Sequence, residues 1–501
     1  MTARARRTSA SDLFTPHHAA RADRRAARLA LARAAARALD AGPDAPGDSP
    51  AAEETGVPAP VYPAAGRPGP ASARSRRLKL PAQRMTTATV SGAYPFLAEG
   101  GLGSDGIYIG RDVHAEASFT FDPFSLYGTL EGFTNPNALL AGVIGQGKSA
   151  LAKSLALRSI AHGYRVYVPC DPKGEWSVVA AALGGTTIAL GVGLPGKLNP
   201  LDAPPRPATS TAAEWANEVR KRRLLLLSSL ARTVLGRDLR PMEHTALDVA
   251  LDAVVATSEN TGRTPLLGDI AATLNAPKQL DAAAGAVSGK LGDAARDVAH
   301  SLRRLVHGDL AGMFDAPTTV AFDPAAPMLT IDLSRLGGSG TDTALVLAMT
   351  CASAWMEAAL ADPDGGRRWI VYDEGWRLLR HIGLLERMQS QWKLSRGLGI
   401  ANLLIIHRLS DLLSAGDAGS RGRVLAEGLL ADCSTRVIYR QEADQLTASA
   451  GLLGLTGVET QAVSALQRGR GLWKVAGRSF IVQHLLHPHE ARLFDTDARM
   501  H

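Results

Sequence analysis

The stretch that decides how the chain is interpreted is Leu139-Leu-Ala-Gly142-Val-Ile-Gly145-Gln-Gly147-Lys148-Ser149-Ala150. It contains the pattern G-x-x-x-x-G-K-[ST], in which a tightly curled backbone points its N–H groups inward at a polyphosphate. Lys148 can reach the β- and γ-phosphates, and Ser149 can place its hydroxyl on Mg²⁺. The apolar residues before the pattern predict a strand, and residues 151–158 predict a helix whose positive end faces the anion. We therefore expect a nucleotide site here. Its predicted cofactor-binding residues are Gly142, Val143, Ile144, Gly145, Gln146, Gly147, Lys148, Ser149 and Ala150.

The basic residues are concentrated at one end of the chain. Of the 501 residues, 1–85 hold 15 Lys or Arg and 7 Asp or Glu, a balance of +8, while the whole chain has a net charge of +7. The remaining residues are therefore close to neutral. This distribution does not support a uniformly basic nucleic-acid-binding body.

Cysteine usage and hydropathy indicate a cytosolic protein. Cys170, Cys351 and Cys433 lie far apart without a C-x-x-C motif, which predicts reduced thiols. The arginines near the N-terminus are followed by no apolar run, so we expect no secretory signal. The longest apolar run, Thr343 to Leu360, includes Glu357 and predicts a buried helix of a layered fold rather than a membrane span.

Composition and hydrophobic periodicity divide the chain into four parts. Residues 1–85 are predicted to be a basic, Pro/Ala-rich disordered tail. Within it, an Arg-rich helix over residues 21–39 either contacts an anionic partner or is simply solvated. Residues 86–204 and 326–501 are predicted to be the two parts of an α/β P-loop domain, because strands alternate with helices as in a parallel, doubly wound sheet. Residues 205–325 show helical periodicity instead and are predicted to be an inserted helical subdomain.

The strand assignments follow short apolar runs bounded by turn residues. The predicted strands are Tyr94–Phe96, Gly106–Gly110, Ser118–Asp122, Ala138–Gly142, Tyr164–Cys170, Thr186–Leu190, Met328–Leu333, Trp369–Tyr372, Ala401–Ile406 and Thr435–Arg440, with a terminal hairpin of Gly471–Val475 and Ser479–Val482. Besides the helix after the phosphate loop, residues 341–361 and 384–396 are predicted to be helical.

The second half of the nucleotide site is predicted at Asp373 and Glu374, which follow the four hydrophobic residues Trp369–Tyr372. Such a strand carries the acids to the carboxyl edge of the sheet, beside the phosphate loop. Asp373 is expected to hold Mg²⁺ directly or through water, and Glu374 to orient and deprotonate the attacking water. Two solvated acids at a strand end are the alternative. Small-molecule kinases seldom need such a glutamate because their nucleophile is the substrate, so the pair favours hydrolysis over phosphoryl transfer.

Further candidates each have a plain structural alternative. His407 follows a predicted strand, where it either senses the γ-phosphate or is a satisfied surface histidine. Arg396 lies at a helix end, where it either reaches the γ-phosphate of a neighbouring subunit and stabilises transition-state charge or is a favourable helix C-terminal cation. Asp171, Lys173 and Glu175 either line the same cleft or stabilise a turn.

With these residues in place, the chain resembles the conjugative or type IV secretion ATPases of the TraC/VirB type, within the HerA/FtsK superfamily of hexameric P-loop motors. The similarity extends from about Tyr94 to Phe494 and depends on an ordered series of motifs. The series is Asn135-Pro-Asn137, Gly142–Ser149, Asp171-Pro-Lys-Gly-Glu175, Leu198-Asn-Pro-Leu-Asp202, Ile331-Asp-Leu-Ser334, Asp373-Glu374 and Arg396-x-x-Gly399.

The resemblance implies a RecA-like core with an all-helical subdomain, ATP and Mg²⁺ as cofactors, and a homo-hexameric ring whose sites lie between subunits. It implies that Lys148 and Ser149 bind ATP and metal, and that Asp373 and Glu374 are the metal-binding and water-activating acids. It places Arg396 at the position of a trans-acting arginine finger. The implied partners are channel components of the secretion or conjugation apparatus, with DNA or protein as cargo. The implied location is the cytoplasm, with peripheral membrane association through the apparatus.

The chain departs from the family in two ways. Relatives usually have glutamine where this sequence has His407, which bears on how the γ-phosphate is sensed. Because only a short region precedes the phosphate loop, we also expect most of the large N-terminal domain that docks such ATPases to the channel to be missing. We therefore expect docking, if any, through the basic tail or a separate subunit.

The leading hypothesis is an ATP-driven motor that energises conjugative DNA transfer or type IV secretion. One alternative is a double-stranded DNA translocase of the FtsK/HerA type, although such pumps usually carry membrane spans and a winged helix that the sequence does not indicate. Another is a non-hydrolysing scaffold that binds nucleotide to assemble a complex, against which the intact Lys148, Asp373 and Glu374 argue. A metal site at His487-Pro-His489-Glu490 is disfavoured because no further ligands lie at useful spacing.

Overall fold

The computed structural model describes residues 101–501, except 208–209, 285–290, 337–341, 361–364, 376, 378–380, 408–418, 443–444, 447–449 and 496–501. The predicted tail of residues 1–85 and the predicted strand Tyr94–Phe96 lie outside the described residues. Within the described residues the chain forms one sheet of eleven strands. The strands are β1 Ile107–Asp112, β2 Ser118–Phe121, β3 Ala138–Ala141, β4 Arg165–Asp171, β5 Thr186–Ala189, β6 Met328–Asp332, β7 Arg368–Tyr372, β8 Ile400–Ile406, β9 Thr435–Tyr439, β10 Arg470–Val475 and β11 Arg478–His484.

The sheet has a parallel part and an antiparallel part. Its strands lie in the order β2-β1-β11-β10-β9-β3-β8-β7-β4-β6-β5. All neighbours from β9 to β5 are parallel, whereas those from β9 to β2 are antiparallel. The carboxyl ends of β3, β8, β7 and β4 consequently meet at one edge, which is called the carboxyl edge below. The opposite edge of the parallel part is the amino edge.

Strand β3 shows why the parallel strands are apolar throughout. Leu139 and Ala141 belong to one hydrophobic core, and Ala138 and Leu140 belong to the other, because successive side chains of a strand point to opposite faces. A parallel sheet covered on both faces therefore needs continuous apolar strands rather than alternating ones.

Helices supply that cover on both faces. The helices in the described residues are α1 Pro123–Leu126, α2 Lys148–Ala161, α3 Glu175–Ala182, α4 Ala212–Leu235, α5 Pro241–Thr261, α6 Leu267–Leu274, α7 Pro277–Ala283, α8 Leu291–Val306, α9 Asp342–Ala359, α10 Ile382–Ser395, α11 Arg421–Ala431, α12 Gly457–Ser464 and α13 Pro488–Leu493. Apolar side chains of α2 and α3 enter one core. Those of α9, α10 and α11 enter the core on the other face.

The segment between β5 and β6 contains the helices α4 to α8 and shares its core with one face of the sheet. Helix α4 begins with a capping box, in which Oγ1 of Thr211 accepts the Glu214 N–H at 3.3 Å and Oε2 of Glu214 accepts the Thr211 N–H at 2.9 Å. It ends at Gly236, whose φ of 66° suits glycine. The boundaries of this insertion at residues 205 and 325 stay predictions.

The structure confirms the α/β class, the mostly parallel sheet with flanking helices, and the helical insertion. The three cysteines are free and buried. Among the helices in the described part of the chain, none combines the length and the apolar character that a membrane span requires. The pairing of β1 with β11 was not predicted, because the two strands lie near opposite ends of the described chain.

Candidate active site

The phosphate loop connects the carboxyl end of β3 to the first residue of α2. Gly145 and Gly147 have φ angles of 81° and 104°, which glycine adopts without strain. Lys148 begins α2, is buried, and donates from Nζ to the carbonyl oxygen of Val143 at 2.9 Å. The lysine ammonium thus lies within the concavity of the loop, where a phosphate would need it.

Residues directly after β9 and directly before β10 hold this loop from the side. The Val143 N–H donates to the Arg440 carbonyl at 3.1 Å, and the Gly469 N–H donates to the Gln146 carbonyl at 3.0 Å. A Cβ on Gly142 would lie 2.5 Å from Cβ of Tyr439, so only glycine fits at that position. These supports carry no sequence motif and were not predicted.

The two predicted acids follow β7 at the carboxyl edge and are both buried. Oδ1 of Asp373 accepts the Glu374 N–H at 3.0 Å, and Oδ2 accepts Nε1–H of Trp176 at 2.9 Å. Burial raises the pKa of Asp373, and the neighbouring Glu374 charge acts in the same direction. Glu374 has a φ of 55°, an uncommon conformation for a residue with a side chain.

Glu374 contacts basic side chains that follow the strands on both sides of β7. Nε2 of His407, directly after β8, lies 3.0 Å from its Oε1 and 3.1 Å from its Oε2. Lys173, after β4, forms an ion pair with Oε1. Burial acts to raise the pKa of Glu374, but the hydrogen bonds from His407 and Lys173 outweigh it and hold the pKa well below its usual range. Glu374 is therefore a carboxylate at neutral pH.

The other predicted residues of this edge belong to the connection between β4 and α3. The Asp171 carboxylate accepts the N–H groups of Glu175 at 3.2 Å and Trp176 at 2.8 Å. Burial raises the pKa of Asp171 to about 6. Glu175 pairs at 2.7 Å with Lys153, which is almost fully buried in α2. Asp171 and Glu175 thus stabilise the connection, whereas Lys173 reaches into the cleft.

Arg396 lies at the amino edge of the sheet. It caps the C-terminus of α10 just before β8 and is exposed. Its Nη1 donates to the Thr134 carbonyl at 3.4 Å. The seven residues of β8 separate the two edges by roughly 20 Å. The structure therefore brings His407 to the predicted acids and keeps Arg396 away from the phosphate loop of its own chain.

The residues at the carboxyl edge suit a magnesium ion carried by a nucleotide. Each oxygen of Asp373 accepts one hydrogen bond and keeps a lone pair for a metal-bound water. The Ser149 hydroxyl is half-buried at the start of α2 and makes no hydrogen bond to a described residue. Magnesium is usually held by one or two protein oxygens together with phosphates and water. Within the described residues, no group of three or more His, Cys, Asp or Glu side chains has the geometry of a metal site.

The residues of the disfavoured metal motif are bonded to one another and to neighbouring elements. Nδ1 of His487 accepts the His489 N–H at 3.3 Å, at the start of α13. Glu490 forms an ion pair with Arg158 and a hydrogen bond with Ser154, both on α2. These contacts fasten α13 to the helix that follows the phosphate loop.

Comparison with known proteins identifies the fold. No protein-family model matches the sequence, and no curated protein matches it significantly. Solved structures of similar fold include VirB4 of Thermoanaerobacter pseudethanolicus, with a TM-score of 0.64 at 21% identity over 78% of this chain and 100% of that one. They also include the plasmid coupling protein TrwB in complex with ADP and Mg²⁺, with a TM-score of 0.51 at 16% identity over 77% of this chain and 91% of the other. The predicted RecA-like core is confirmed, and the chain has the P-loop ATPase fold of VirB4 and TrwB.

Proposed function

We propose that this protein is an ATP-hydrolysing motor that energises conjugative DNA transfer or type IV secretion. The observation that carries the proposal is the arrangement of the phosphate loop, Asp373 and Glu374 on one edge of a parallel sheet. A glutamate directly after the metal-binding acid suits attack by water. The fold shared with VirB4 and TrwB supports the choice of machine.

ATP and Mg²⁺ are the proposed cofactors. The loop N–H groups and Lys148 would hold the phosphates, with Ser149 and Asp373 as protein ligands of the metal, directly or through water. A bound metal would neutralise charge on the phosphates. TrwB has been solved with ADP and Mg²⁺, which supports an adenine nucleotide with Mg²⁺ here.

Glu374 is the proposed water-activating residue. Its ionised carboxylate can accept a hydrogen bond from the attacking water and orient it towards the phosphate. His407 lies within hydrogen-bond distance of both Glu374 oxygens. We propose that His407 reports the state of the γ-phosphate by exchanging its contact with Glu374, in the place where relatives usually have glutamine.

The position of Arg396 supports a ring oligomer. An arginine about 20 Å from its own phosphate loop cannot stabilise transition-state charge there, but it can do so in a neighbouring subunit. We propose a homo-hexamer whose sites are completed by Arg396 of the adjacent copy. Channel components of the apparatus are the proposed partners and DNA is a candidate cargo. The proposed location is the cytoplasm, with membrane association through the apparatus.

Phosphate release by the purified full-length protein with ATP and Mg²⁺ tests the proposal. Glu374→Gln should lower kcat by about a hundredfold or more while ATP binding persists, since it replaces the water-activating carboxylate with a neutral amide of similar size. Lys148→Ala should weaken ATP binding itself. Glu218→Gln, which changes an exposed carboxylate on α4, is the control and should leave kcat unchanged. An inactive wild type that binds ATP would favour the nucleotide-dependent scaffold.

A second experiment tests which process the ATP hydrolysis drives. Co-purification with channel subunits, lost on deletion of residues 1–85, would support secretion and a docking role for the tail. Stimulation of the ATPase by double-stranded DNA, together with translocation along it, would favour the FtsK/HerA-type alternative.

A further inference from the structure

Trp176, in the first turn of α3, joins the connection after β4 to the metal-binding acid. Its Nε1–H donates to Oδ2 of Asp373 at 2.9 Å, and its side chain is fully buried. We infer that Trp176 is a positioning residue that fixes the Asp373 carboxylate in the orientation needed to hold Mg²⁺. The inference rests on the proposed function, because it assigns Asp373 to the metal.

Two donors from different parts of the chain determine the plane of the Asp373 carboxylate. One is the N–H of Glu374, which donates to Oδ1 at 3.0 Å, and the other is the indole of Trp176 on Oδ2. Because the donors occupy different oxygens, the group cannot rotate about its Cβ–Cγ bond without losing both hydrogen bonds. Hydrogen-bond donors behind a metal-binding carboxylate orient it in this way, and their loss typically weakens metal binding 10- to 100-fold.

The indole is itself held in place by the start of α3. Asp171 accepts the backbone N–H of Trp176 at 2.8 Å, which fixes the first turn of the helix. The preceding Glu175 pairs at 2.7 Å with the buried Lys153 of α2. Since α2 begins at Lys148 of the phosphate loop, this chain of contacts ties the metal-binding acid to the helix that carries the loop.

The competing explanation is that Trp176 only fills the core and that Asp373 merely satisfies its indole N–H. Trp369 provides a matched control for this explanation. It lies in the same hydrophobic core and is equally buried, and its Nε1 has no hydrogen-bond partner among the described residues. Trp176→Phe and Trp369→Phe therefore change packing in the same way, and only Trp176→Phe removes a donor to Asp373.

The experiment measures the affinity of the full-length protein for a fluorescent ATP analogue, in excess Mg²⁺ and in EDTA. Trp176→Phe should reduce the gain in affinity that Mg²⁺ gives by about tenfold and leave the affinity in EDTA unchanged. Trp369→Phe should change neither value. The inference is overturned if Trp176→Phe keeps the wild-type gain, or if it loses affinity equally with and without Mg²⁺, as a loosened core would.

A second variant covers the case in which Trp176→Phe does not fold. Asp171→Asn keeps the size of the side chain but weakens the cap that anchors the indole, so it should reduce the Mg²⁺-dependent gain by a smaller factor. An unchanged gain overturns the inference here too. A wild type that shows the Mg²⁺-dependent gain but hydrolyses no ATP would contradict only the proposed motor function. The inference about Trp176 would still be tested, because it is measured by nucleotide binding.

Discussion

The two edges of the parallel sheet hold their charged side chains in different ways. At the carboxyl edge, the acids are compensated within the chain, since Glu374 contacts Lys173 and His407, and Glu175 pairs with Lys153. Glu374 and Lys153 are buried, so the charge of each depends on its partner. This edge is a tightly coupled cluster.

At the amino edge, an exposed cation lies beside buried neutral groups. Arg396 donates to the Thr134 carbonyl and forms no ion pair with a described residue. Oδ1 of Asn137 accepts Nδ2–H of Asn402 at 2.8 Å, and Nδ2 also donates to Oγ of Ser395 at 2.9 Å. Ser395 directly precedes Arg396, so the network fixes the turn that presents the arginine. The difference teaches that one edge collects the groups proposed for phosphate and metal, while the other presents the cation that the proposed ring would use in a neighbouring subunit.

The largest expected effect comes from removing that cation. Arg396→Ala should lower kcat about a thousandfold with little change in ATP affinity, as loss of an arginine finger does. Arg303→Ala, which removes an exposed arginine of α8, is the matched control and should leave kcat unchanged. Steady-state phosphate release and equilibrium ATP binding measure the two effects.

Mixing two inactive variants tests whether the two edges that form one active site belong to different subunits. In an equal mixture of Arg396→Ala and Glu374→Gln subunits, about a quarter of the interfaces of a cyclic ring pair an intact acid with an intact arginine. Activity should therefore return on mixing. An arginine that served the site of its own chain would give no such recovery, because every chain then has one defect.

The parts of both edges that lie in continuous sequence were predictable. The phosphate loop and Asp373-Glu374 each consist of an apolar strand and the polar residues directly after it, so local pattern was enough to find them. The same holds for the parallel strands, whose apolar runs follow from burial on both faces. The helix carrying Arg396 was also predicted, to within a few residues at its start.

The contacts between these parts were not predictable, because they depend on which strands are neighbours. Trp176 and Asp373 are 197 residues apart, and Asn137 and Asn402 are 265 residues apart. The sequence does not show which residue is contacted by a tryptophan at the start of a helix or by an asparagine inside an apolar strand. The buried polar residue in the otherwise apolar run 400–406 was the one available clue, since a buried amide requires hydrogen bonds.

A smaller effect is expected from the network at the amino edge. Asn137→Leu should lower the free energy of unfolding by about 3 kcal/mol, because it leaves the buried backbone N–H and one amide proton of Asn402 without their acceptor. Urea unfolding measures this cost. The double variant with Asn402→Leu should cost less than the two single variants together, since it also removes the orphaned amide. Strictly additive costs would show that the two residues are not coupled.

At the carboxyl edge, the close packing of the phosphate loop against Tyr439 is also expected to be sensitive to substitution. Gly142→Ala should lower the free energy of unfolding by about 2 kcal/mol, because the new Cβ would lie 2.5 Å from Cβ of Tyr439. ATP affinity should fall with it, since the loop must shift. Gly457→Ala is the control, as a Cβ there meets no atom within 4 Å. Thermal unfolding and ATP titration separate the two consequences, and a Gly142→Ala variant with wild-type values for both would show that the loop has room to spare.

The last expected effect depends on pH and concerns a residue of β11 close to the phosphate loop. His484 donates its backbone N–H to the Gly469 carbonyl at 2.9 Å, and Gly469 in turn donates to the phosphate loop. Burial, assisted by the charge of Arg158 and opposed by Glu490, lowers the pKa of the His484 imidazole to about 4. The folded protein thus binds fewer protons than the unfolded chain between that value and about 6.5.

The stability that a neutral His484 contributes is consequently present above about pH 6.5 and lost as the pH falls towards 4. Wild-type protein should lose about 2 kcal/mol of unfolding free energy through this residue between pH 7.5 and pH 5. His484→Gln should lose correspondingly less in urea unfolding at the two pH values. Asn137→Leu should show the same cost at both, because the network at the amino edge contains no titratable group. If His484→Gln loses as much stability as the wild type, the acid sensitivity arises from another group. A cost of Asn137→Leu that is equal at the two pH values would then indicate that this group lies away from the amino edge.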